Sequence, residues 1–270
     1  MKNFLTALLL TSTILFSEEQ IPITINDYGL IFIKVKVNDE SGTFLLDTGG
    51  GAHVLSNNFF NKIKGETDEA GFYTGFRHNG ERIDTKVYTA NSISVGSLNQ
   101  IEPKIGMYPP LDQYGIDGIL SLMIFKNTAF TIDFMNLQVI LETDESLFEL
   151  EKLSEIHPIL FDSERDLVLD MFIKICLNDS VSLLAEFDTG AGFETFLLNK
   201  FYADKFNLPL DSLNNTNCKI SLCGSETISN NKKSATVKDD LIYEGLIGSG
   251  LFKNSKLTID IPNKRILVSK

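Results

Sequence analysis

The sequence predicts a mostly β protein made of two similar units in one chain, and three observations lead to this prediction. First, Asp-Thr-Gly occurs twice, at residues 47–49 and 188–190, each time directly after a strand-like apolar run. Second, the residues around the two tripeptides can be aligned with one another over much of the chain. Third, apolar and polar residues alternate with the two-residue period of half-buried strands, and turn-forming residues separate the runs.

The predicted duplication is what makes the tripeptide informative. A single Asp-Thr-Gly is weak evidence, because Asp and Gly favour any tight turn after a strand. The two copies here follow similar runs, Thr43–Leu46 and Leu184–Phe187. Three further pairs of segments align: 32–39 with 172–179, 117–127 with 244–254, and 131–133 with 258–260. A repeat of this length predicts two copies of one structural unit, the second copy being shorter in its middle.

Each unit opens with strands that lead to its tripeptide. Alternation and turn residues predict strands at 21–25, 30–37 and 43–46 in the first unit, and at 158–161, 167–177 and 181–187 in the second. A short helix is predicted after each tripeptide, from the N-cap Ser56 to about Ile63 and from Asn199 to Phe206.

The middle of each unit is predicted to be a β-hairpin. Residues 71–83 contain Asn79-Gly80, the strongest short hairpin signal. In the second unit, Cys218–Ile228 would turn at Gly224-Ser225.

Composition and charge limit the function classes. A chain of 270 residues with 43% hydrophobic and 22% charged residues is long and apolar enough to fold into two compact lobes. The formal charge of −12 argues against nucleic acid or an anionic membrane as a partner.

The N-terminal residues 1–17 are predicted to be a signal peptide. Lys2 precedes the apolar stretch Phe4–Phe16, which is too short to span a membrane and suits a signal-peptide core. The mature protein would then be secreted or periplasmic, without stable membrane insertion; an uncleaved anchor or a buried first strand is the alternative.

The remaining domain boundaries follow from the repeat. We predict an N-terminal lobe at 18–142, an acidic linker at 143–155 and a C-terminal lobe at 156–270. The linker is rich in acids and is expected to be solvated, although Leu147–Leu153 has the composition of a short helix. Both half-sites lie in one chain, so a monomer is expected.

The cysteines and histidines of this chain give little evidence about its function. Cys218 and Cys223 flank four residues and are predicted to form a disulfide in an oxidising compartment, while Cys176 is expected to be a buried thiol. The histidines are scattered and do not cluster with the cysteines at metal-binding spacing, so neither a metal nor another cofactor is expected. His53 and His78 are expected at packing or surface positions.

With these motifs in place, the sequence resembles the aspartic proteases. Its two-unit chain is similar to the pepsin-like enzymes, and its local motifs are similar to the retroviral-type, bacterial exported branch. The motifs are a strand followed by Asp-Thr-Gly and two small residues, and later a Gly-apolar-apolar block at Gly118 and at Gly245. The resemblance implies a two-lobed, pepsin-like acid protease fold, in which each lobe is a small closed β-barrel with one or two short helices.

The resemblance also implies an aspartic endopeptidase acting on a peptide or protein. Asp47 and Asp188 would be the catalytic pair, because two adjacent carboxyls hold one proton between them and can activate water without a covalent intermediate. Thr48 and Thr189 would support the two loops by hydrogen bonds across the lobe interface. Gly49 and Gly190 would permit the tight backbone there.

One more residue has a possible active-site role by resemblance. Tyr73, in the predicted hairpin, would act as a flap residue over the substrate, or else simply pack within the hairpin. No long propeptide is visible, so activation by removal of a pro-segment is not expected.

The sequence departs from the family pattern next to both aspartates. Gly50-Gly51 and Ala191-Gly192 lack the Ser, Thr or Asp side chain with which relatives often bond the outer carboxylate oxygen, so the acidic limb of activity is expected at higher pH than in pepsin. Ser121, where the second unit has Gly248, is another departure. The alternatives are a catalytically silent peptide-binding relative and a structural β protein in which both motifs are only turns.

Overall fold

The computed structural model describes residues 18–269, with the backbone alone at positions 231 and 232. The predicted signal peptide, residues 1–17, lies outside the described residues, as does Lys270. We refer to residues 18–142 as the first lobe and to residues 156–269 as the second lobe. None of the helices in the described part is long and apolar enough to span a bilayer.

The first lobe is built almost entirely of strands, with one short helix. Its elements are β1 (Glu19–Ile25), β2 (Ile31–Val37), β3 (Glu40–Leu46), β4 (Val54–Leu55), α1 (Asn57–Ile63), β5 (Thr67–Phe76), β6 (Arg82–Ala90), β7 (Ser92–Val95), β8 (Leu98–Ile101), β9 (Lys104–Met107), β10 (Gly118–Leu120), β11 (Ala129–Asp133) and β12 (Gln138–Leu141). Helix α1 begins where predicted, because the Ser56 hydroxyl accepts a hydrogen bond from the backbone N–H of Phe59.

The second lobe follows the same order after a connecting helix, α2. Its elements are α2 (Asp144–Leu153), β13 (Glu155–Glu164), β14 (Val168–Leu177), β15 (Val181–Phe187), β16 (Phe196–Asn199), α3 (Lys200–Lys205), β17 (Asn215–Leu222), β18 (Ser229–Lys238), β19 (Gly245–Ile247), β20 (Lys256–Asp260) and β21 (Arg265–Ser269). Single 3₁₀ turns occur at 64–66, 109–114, 122–125, 189–191 and 249–251.

A six-stranded sheet joins the two lobes. Its strand order is β1-β12-β11-β20-β21-β13, and all neighbours are antiparallel. At its centre β11 of the first lobe pairs with β20 of the second, and Thr131 lies directly opposite Thr258. Their hydroxyl oxygens are 2.6 Å apart. Residues that the sequence aligns therefore pair with each other, as expected for two units related by an approximate two-fold axis.

Each lobe has its own sheet, and the same strand crossing recurs in both. In the first lobe β3 runs parallel to β10, and β10 is antiparallel to β4. In the second lobe β15 runs parallel to β19, and β19 is antiparallel to β16. The mostly β character and the pepsin-like arrangement agree with the prediction, whereas closure of each lobe into a barrel stays a prediction.

Pairs of aromatic side chains pack edge to face in the cores of both lobes. The Phe44 and Phe59 rings meet edge to face at 5.4 Å, as the Phe187 and Phe252 rings do at 5.3 Å. All four rings are fully buried. These apolar cores hold the strands that end at the two tripeptides.

The segment predicted to be an acidic linker contains a longer helix than expected. Helix α2 begins at Asp144 because Thr143 and Ser146 form a reciprocal capping box. The acidic side chains of Asp144 and Glu145 in its first turn also stabilise the helix, because they lie near the positive end of the helix dipole. The prediction of a helix at Leu147–Leu153 was correct in kind but started one turn too late.

The disulfide prediction was wrong. Cys223 is bonded to Cys176, and Cys218 is a free, buried thiol. Strands β14 and β17 are paired, with Cys176 opposite Ser221, so Cys223 lies just beyond the end of β17 beside Cys176. Cys218 points into the core, where it is 4% exposed.

Candidate active site

The two Asp-Thr-Gly loops meet at the lobe interface and are held in the same way. The backbone N–H of Asp47, directly after β3, donates to the carbonyl of Leu120 on β10 at 3.0 Å. The N–H of Asp188, directly after β15, donates to the carbonyl of Ile247 on β19 at 2.9 Å. In each lobe the parallel strand therefore fixes the position of the aspartate backbone.

The two predicted threonines connect the loops through reciprocal hydrogen bonds. The N–H of Thr48 donates to Oγ1 of Thr189 at 3.1 Å, and the N–H of Thr189 donates to Oγ1 of Thr48 at 3.0 Å. The Thr48 hydroxyl then donates to the carbonyl of Phe187 at 2.5 Å, and the Thr189 hydroxyl to that of Leu46 at 2.7 Å. Both side chains are completely buried, so each loop is positioned by the opposite lobe.

The structure brings Asp47 and Asp188 together as a hydrogen-bonded carboxyl pair. Burial raises the pKa of both groups, and the charge of Asp47 raises the pKa of Asp188 further. Two carboxyls in such contact titrate as a unit, and repulsion keeps one proton on the pair over a wide pH range.

Gly49 and Gly190 are required by the close approach of the two loops. A Cβ atom on Gly49 would lie 2.9 Å from the Asp188 side chain, and one on Gly190 would lie 2.5 Å from Oδ2 of Asp47. Each glycine therefore makes room for the aspartate of the opposite lobe.

Backbone N–H groups contact the carboxylates next to the small residues. The N–H of Gly49 donates to Oδ1 of Asp47 at 3.1 Å, and the N–H of Ala191 donates to Oδ1 of Asp188 at 3.0 Å. Hydrogen bonds from the backbone of Gly50 and Gly190 also lower the pKa of Asp47 against the larger effect of burial. The donors to the pair from residues 49–50 and 190–191 are thus main-chain groups and not hydroxyls.

Two acids that sequence reasoning missed lie beside the pair. Glu186 precedes Asp188 by two residues on β15, is 3% exposed, and is hydrogen-bonded to Tyr243. Burial, with the charge of Asp170, raises the pKa of Glu186 to about 9. Burial and the charge of Asp47 raise the pKa of Asp170 to about 7, although the N–H of Gly51 donates to its carboxylate.

Only one of these two acids could have been identified from the sequence. Glu186 was detectable, because residues two apart on a strand face the same side and Glu186 therefore shares the side of Asp188. Asp170 was not detectable. It reaches the site because the first residues of β14 contact the first lobe, where the N–H of Leu169 donates to the carbonyl of Gly51 at 3.1 Å.

A cavity of about 290 Å³ lies over the carboxyl pair. It is covered by the β5–β6 hairpin, and Tyr73 of this hairpin lines it. Burial and the charges of Asp170 and Glu164 raise the pKa of Tyr73, which places its ring near the second-lobe acids. The hairpin tip also bridges the lobes, since the carbonyl of His78 accepts a hydrogen bond from the N–H of Ile242 at 2.9 Å.

His53 packs behind the first loop. It is 1% exposed, and its Nδ1 accepts a hydrogen bond from the N–H of Ser121 at 3.1 Å. Ser121 follows Leu120, whose carbonyl holds the backbone of Asp47. Burial lowers the pKa of His53 to about 4. Across residues 18–269, no group of three His, Cys, Asp or Glu side chains is arranged to hold a metal ion.

Fold and site together resemble those of a two-lobed aspartic protease. Residues 33–124, which include Asp47 and the hairpin, match the family model described as aspartyl protease. The resemblance predicted from the sequence is therefore confirmed. The chain matches none of the curated proteins.

Three solved structures share the fold over almost the whole chain. Basic 7S globulin from soybean has 9% sequence identity and a TM-score of 0.56, covering 93% of this chain and 94% of that chain. Conglutin gamma, described as a unique basic 7S globulin from lupine seeds, has 9% identity and a TM-score of 0.58 with the same coverage. The protein edgp has 10% identity and a TM-score of 0.58, covering 94% of both chains. At these identities the likeness concerns the fold alone.

Proposed function

We propose that this protein is an exported aspartic endopeptidase in which Asp47 and Asp188 activate water. The observation that carries the proposal is the hydrogen-bonded pair of carboxyls at the base of a covered cleft, one from each Asp-Thr-Gly loop. The family match over residues 33–124 supports it independently for the first lobe.

The reaction uses one proton held by the pair. The ionised carboxylate takes a proton from a water molecule as the water oxygen attacks the scissile carbonyl carbon, and the protonated carboxyl gives its proton to the carbonyl oxygen. The tetrahedral gem-diol then collapses: its C–N bond breaks as the departing nitrogen receives the proton of the pair's carboxylic acid. One hydroxyl of the gem-diol gives its proton to the pair's other carboxylate as the C=O bond re-forms. One carboxylate and one carboxylic acid are thereby restored, and no cofactor is consumed.

The surrounding residues position this chemistry. The Thr48 and Thr189 hydrogen bonds keep the two loops in register, so the carboxyls stay in contact. The β5–β6 hairpin covers the cleft, and we assign Tyr73 as its flap residue over the bound peptide.

Export is part of the proposal. Residues 1–17 have the composition of a signal peptide. The disulfide Cys176–Cys223 supports the same conclusion, because such bonds persist in oxidising compartments. A monomer in a secreted or periplasmic location is the state we propose.

Cleavage of casein between pH 3 and 7 by the purified full-length chain tests the activity, with a statine-type inhibitor as a second probe. Asp47→Asn and Asp188→Asn should each lower kcat/KM by about a thousand-fold or more, since each removes half of the acid–base pair. Asp68→Asn, at an exposed position outside the cleft, is the matched control and should leave the rate unchanged. Circular dichroism checks that all variants are folded.

Two results would contradict the proposal. One is substantial cleavage by either active-site variant. The other is a folded wild-type protein that binds peptide in the cleft but cleaves none at any pH, which would indicate a catalytically silent peptide-binding relative.

A further inference from the structure

The two walls of the cleft differ in chemistry. On the first-lobe side the cavity is lined by apolar side chains such as Val54 and Ile119 and, at the hairpin tip, by Arg77. On the second-lobe side it is lined by Asp170 and Glu186, which lie beside the catalytic pair. The proposed reaction needs only one proton and two carboxyls, so these two further acids have no part in it.

Glu186 is a buried acid, and the arginine that lines the same cavity, Arg77, is paired with Glu81 of the hairpin instead. Glu186 is 3% exposed, it lies on the face of β15 that carries Asp188, and its hydrogen-bond partner is the Tyr243 hydroxyl. Among the described residues, no lysine or arginine forms an ion pair with it. Burying a carboxyl group is costly without a partner that compensates for lost hydration.

Asp170 is the accessible member of the two. It is only partly buried and faces the catalytic pair, and its position is fixed by the hydrogen bond from the N–H of Gly51. Like Glu186, it forms no ion pair with a lysine or arginine of the described chain. The second-lobe wall therefore offers two carboxyls to whatever enters the cleft.

We propose that Glu186 and Asp170 form a specificity subsite that accepts a lysine or arginine side chain of the substrate, next to the scissile bond on the second-lobe side. The subsite rests on the proposed function, since it assigns the substrate class of the same cleft. An apolar side chain would occupy the first-lobe wall, so the preferred peptide has a basic residue on one side of the scissile bond and an apolar residue on the other.

The chemistry of the acids fits a cationic ligand. A guanidinium or ammonium group provides several N–H donors, and hydrogen bonds between charged groups are about twice as strong as neutral ones. Burial raises the pKa of Asp170 to about 7 and that of Glu186 to about 9, so the protein groups around these two acids stabilise their anions poorly. A bound cation supplies that stabilisation and displaces protons, so its affinity should rise with pH.

Matched peptides test the subsite by cleavage. Fluorogenic peptides that differ only in lysine, norleucine or glutamate on either side of the scissile bond should be ranked lysine, norleucine, glutamate at one of the two positions. A charge-assisted contact predicts about a ten-fold preference in kcat/KM for lysine over norleucine. In Glu186→Gln and in Asp170→Asn this ratio should fall towards one, while Glu226→Gln, an exposed glutamate outside the cleft, should keep it.

Binding provides a second readout that does not need catalysis. The affinity of the lysine and norleucine peptides for the Asp47→Asn protein is measured by fluorescence anisotropy at pH 5 and pH 7. The lysine peptide should bind about ten-fold more tightly at pH 7, with a smaller preference at pH 5. Adding Glu186→Gln to this protein should remove the preference.

The outcomes separate the two proposals. Cleavage without a lysine preference, or a preference that survives in both acid variants, overturns the subsite and leaves the protease. No cleavage, together with lysine-selective binding that requires Glu186, overturns the protease and supports the subsite. Absence of binding to any of the peptides overturns both.

Discussion

The two lobes hold their Asp-Thr-Gly loops alike but bury different ionisable groups behind them. In both lobes a parallel strand fixes the aspartate backbone, a threonine hydroxyl crosses to the other lobe, and a glycine accommodates the opposite aspartate. In the first lobe His53 lies behind the loop, whereas in the second lobe Glu186 lies beside it.

Corresponding positions make the difference clear. The repeat aligns Glu186 with Leu45, so the buried acid replaces an apolar side chain. The strand registers align His53 with Phe196, which is a buried apolar side chain. The groups that hold the two aspartates are thus equivalent in the two lobes. The side chains that flank the aspartates, and with them the local charge, differ between the lobes. We infer that the loops determine the reaction, while the flanking walls determine its pH range and its substrate.

Adding a methyl group at each interface glycine tests whether the two loops are equivalent. Gly190→Ala should lower kcat/KM by about a hundred-fold or more, because its Cβ would lie 2.5 Å from Oδ2 of Asp47 and displace that carboxyl. Gly49→Ala should cost less, because its nearest contact is 2.9 Å. Gly65→Ala, which meets nothing within 4 Å, is the control. Equal activity in all three variants would contradict the packing argument.

The disulfide should distinguish the stabilities of the lobes. All three cysteines lie in the second half of the chain, and Cys176–Cys223 joins residues 47 apart. Cys176→Ser should therefore lower the free energy of unfolding of the second lobe by about 4 kcal/mol, mainly by giving the unfolded chain more freedom. Calorimetry of the variant, and of wild type with and without reductant, measures this effect. An unchanged unfolding temperature in reductant would contradict it.

Acid should destabilise the first lobe through His53. Its pKa is lowered from 6.5 to about 4, so between these values the unfolded chain binds a proton that the folded protein does not. The free energy of unfolding therefore falls as pH decreases through this range, by about 3 kcal/mol at its lower end. His53→Asn retains an acceptor for the Ser121 N–H and should show a flatter dependence. His78→Asn, at an exposed histidine, should behave like wild type in denaturant titrations at each pH.

Alkali should destabilise the second lobe through Glu186. Its pKa is raised from 4.5 to about 9, so between these values the folded protein keeps a proton that the unfolded chain has lost. The free energy of unfolding then falls as pH increases, by up to about 1.4 kcal/mol per pH unit. Glu186→Gln, which retains a hydrogen-bonding partner for Tyr243, should reduce this slope. The same slope in Glu186→Gln and in the control Glu226→Gln would show that Glu186 is not responsible.

Local sequence determined the parts of the structure that depend on neighbouring residues. The capping side chain of Ser56 starts α1 as predicted, and Asn79-Gly80 forms the turn between β5 and β6. The repeat places Asp47 and Asp188 at the ends of corresponding strands, β3 and β15. These features were predictable because caps, turns and strand alternation each follow from a few adjacent side chains.

Only the tertiary structure decided which distant residues meet. Spacing favoured Cys218–Cys223, but the pairing of β14 with β17 brings Cys176 beside Cys223. Asp170 reaches the first lobe because the start of β14 contacts Gly51 across the interface, and no local sequence pattern indicates this contact. Glu186 depends on both the local sequence and the tertiary structure. Its position on the strand is readable from the sequence, but its burial among other acids exists only once the two lobes have packed together and excluded water from the groups between them.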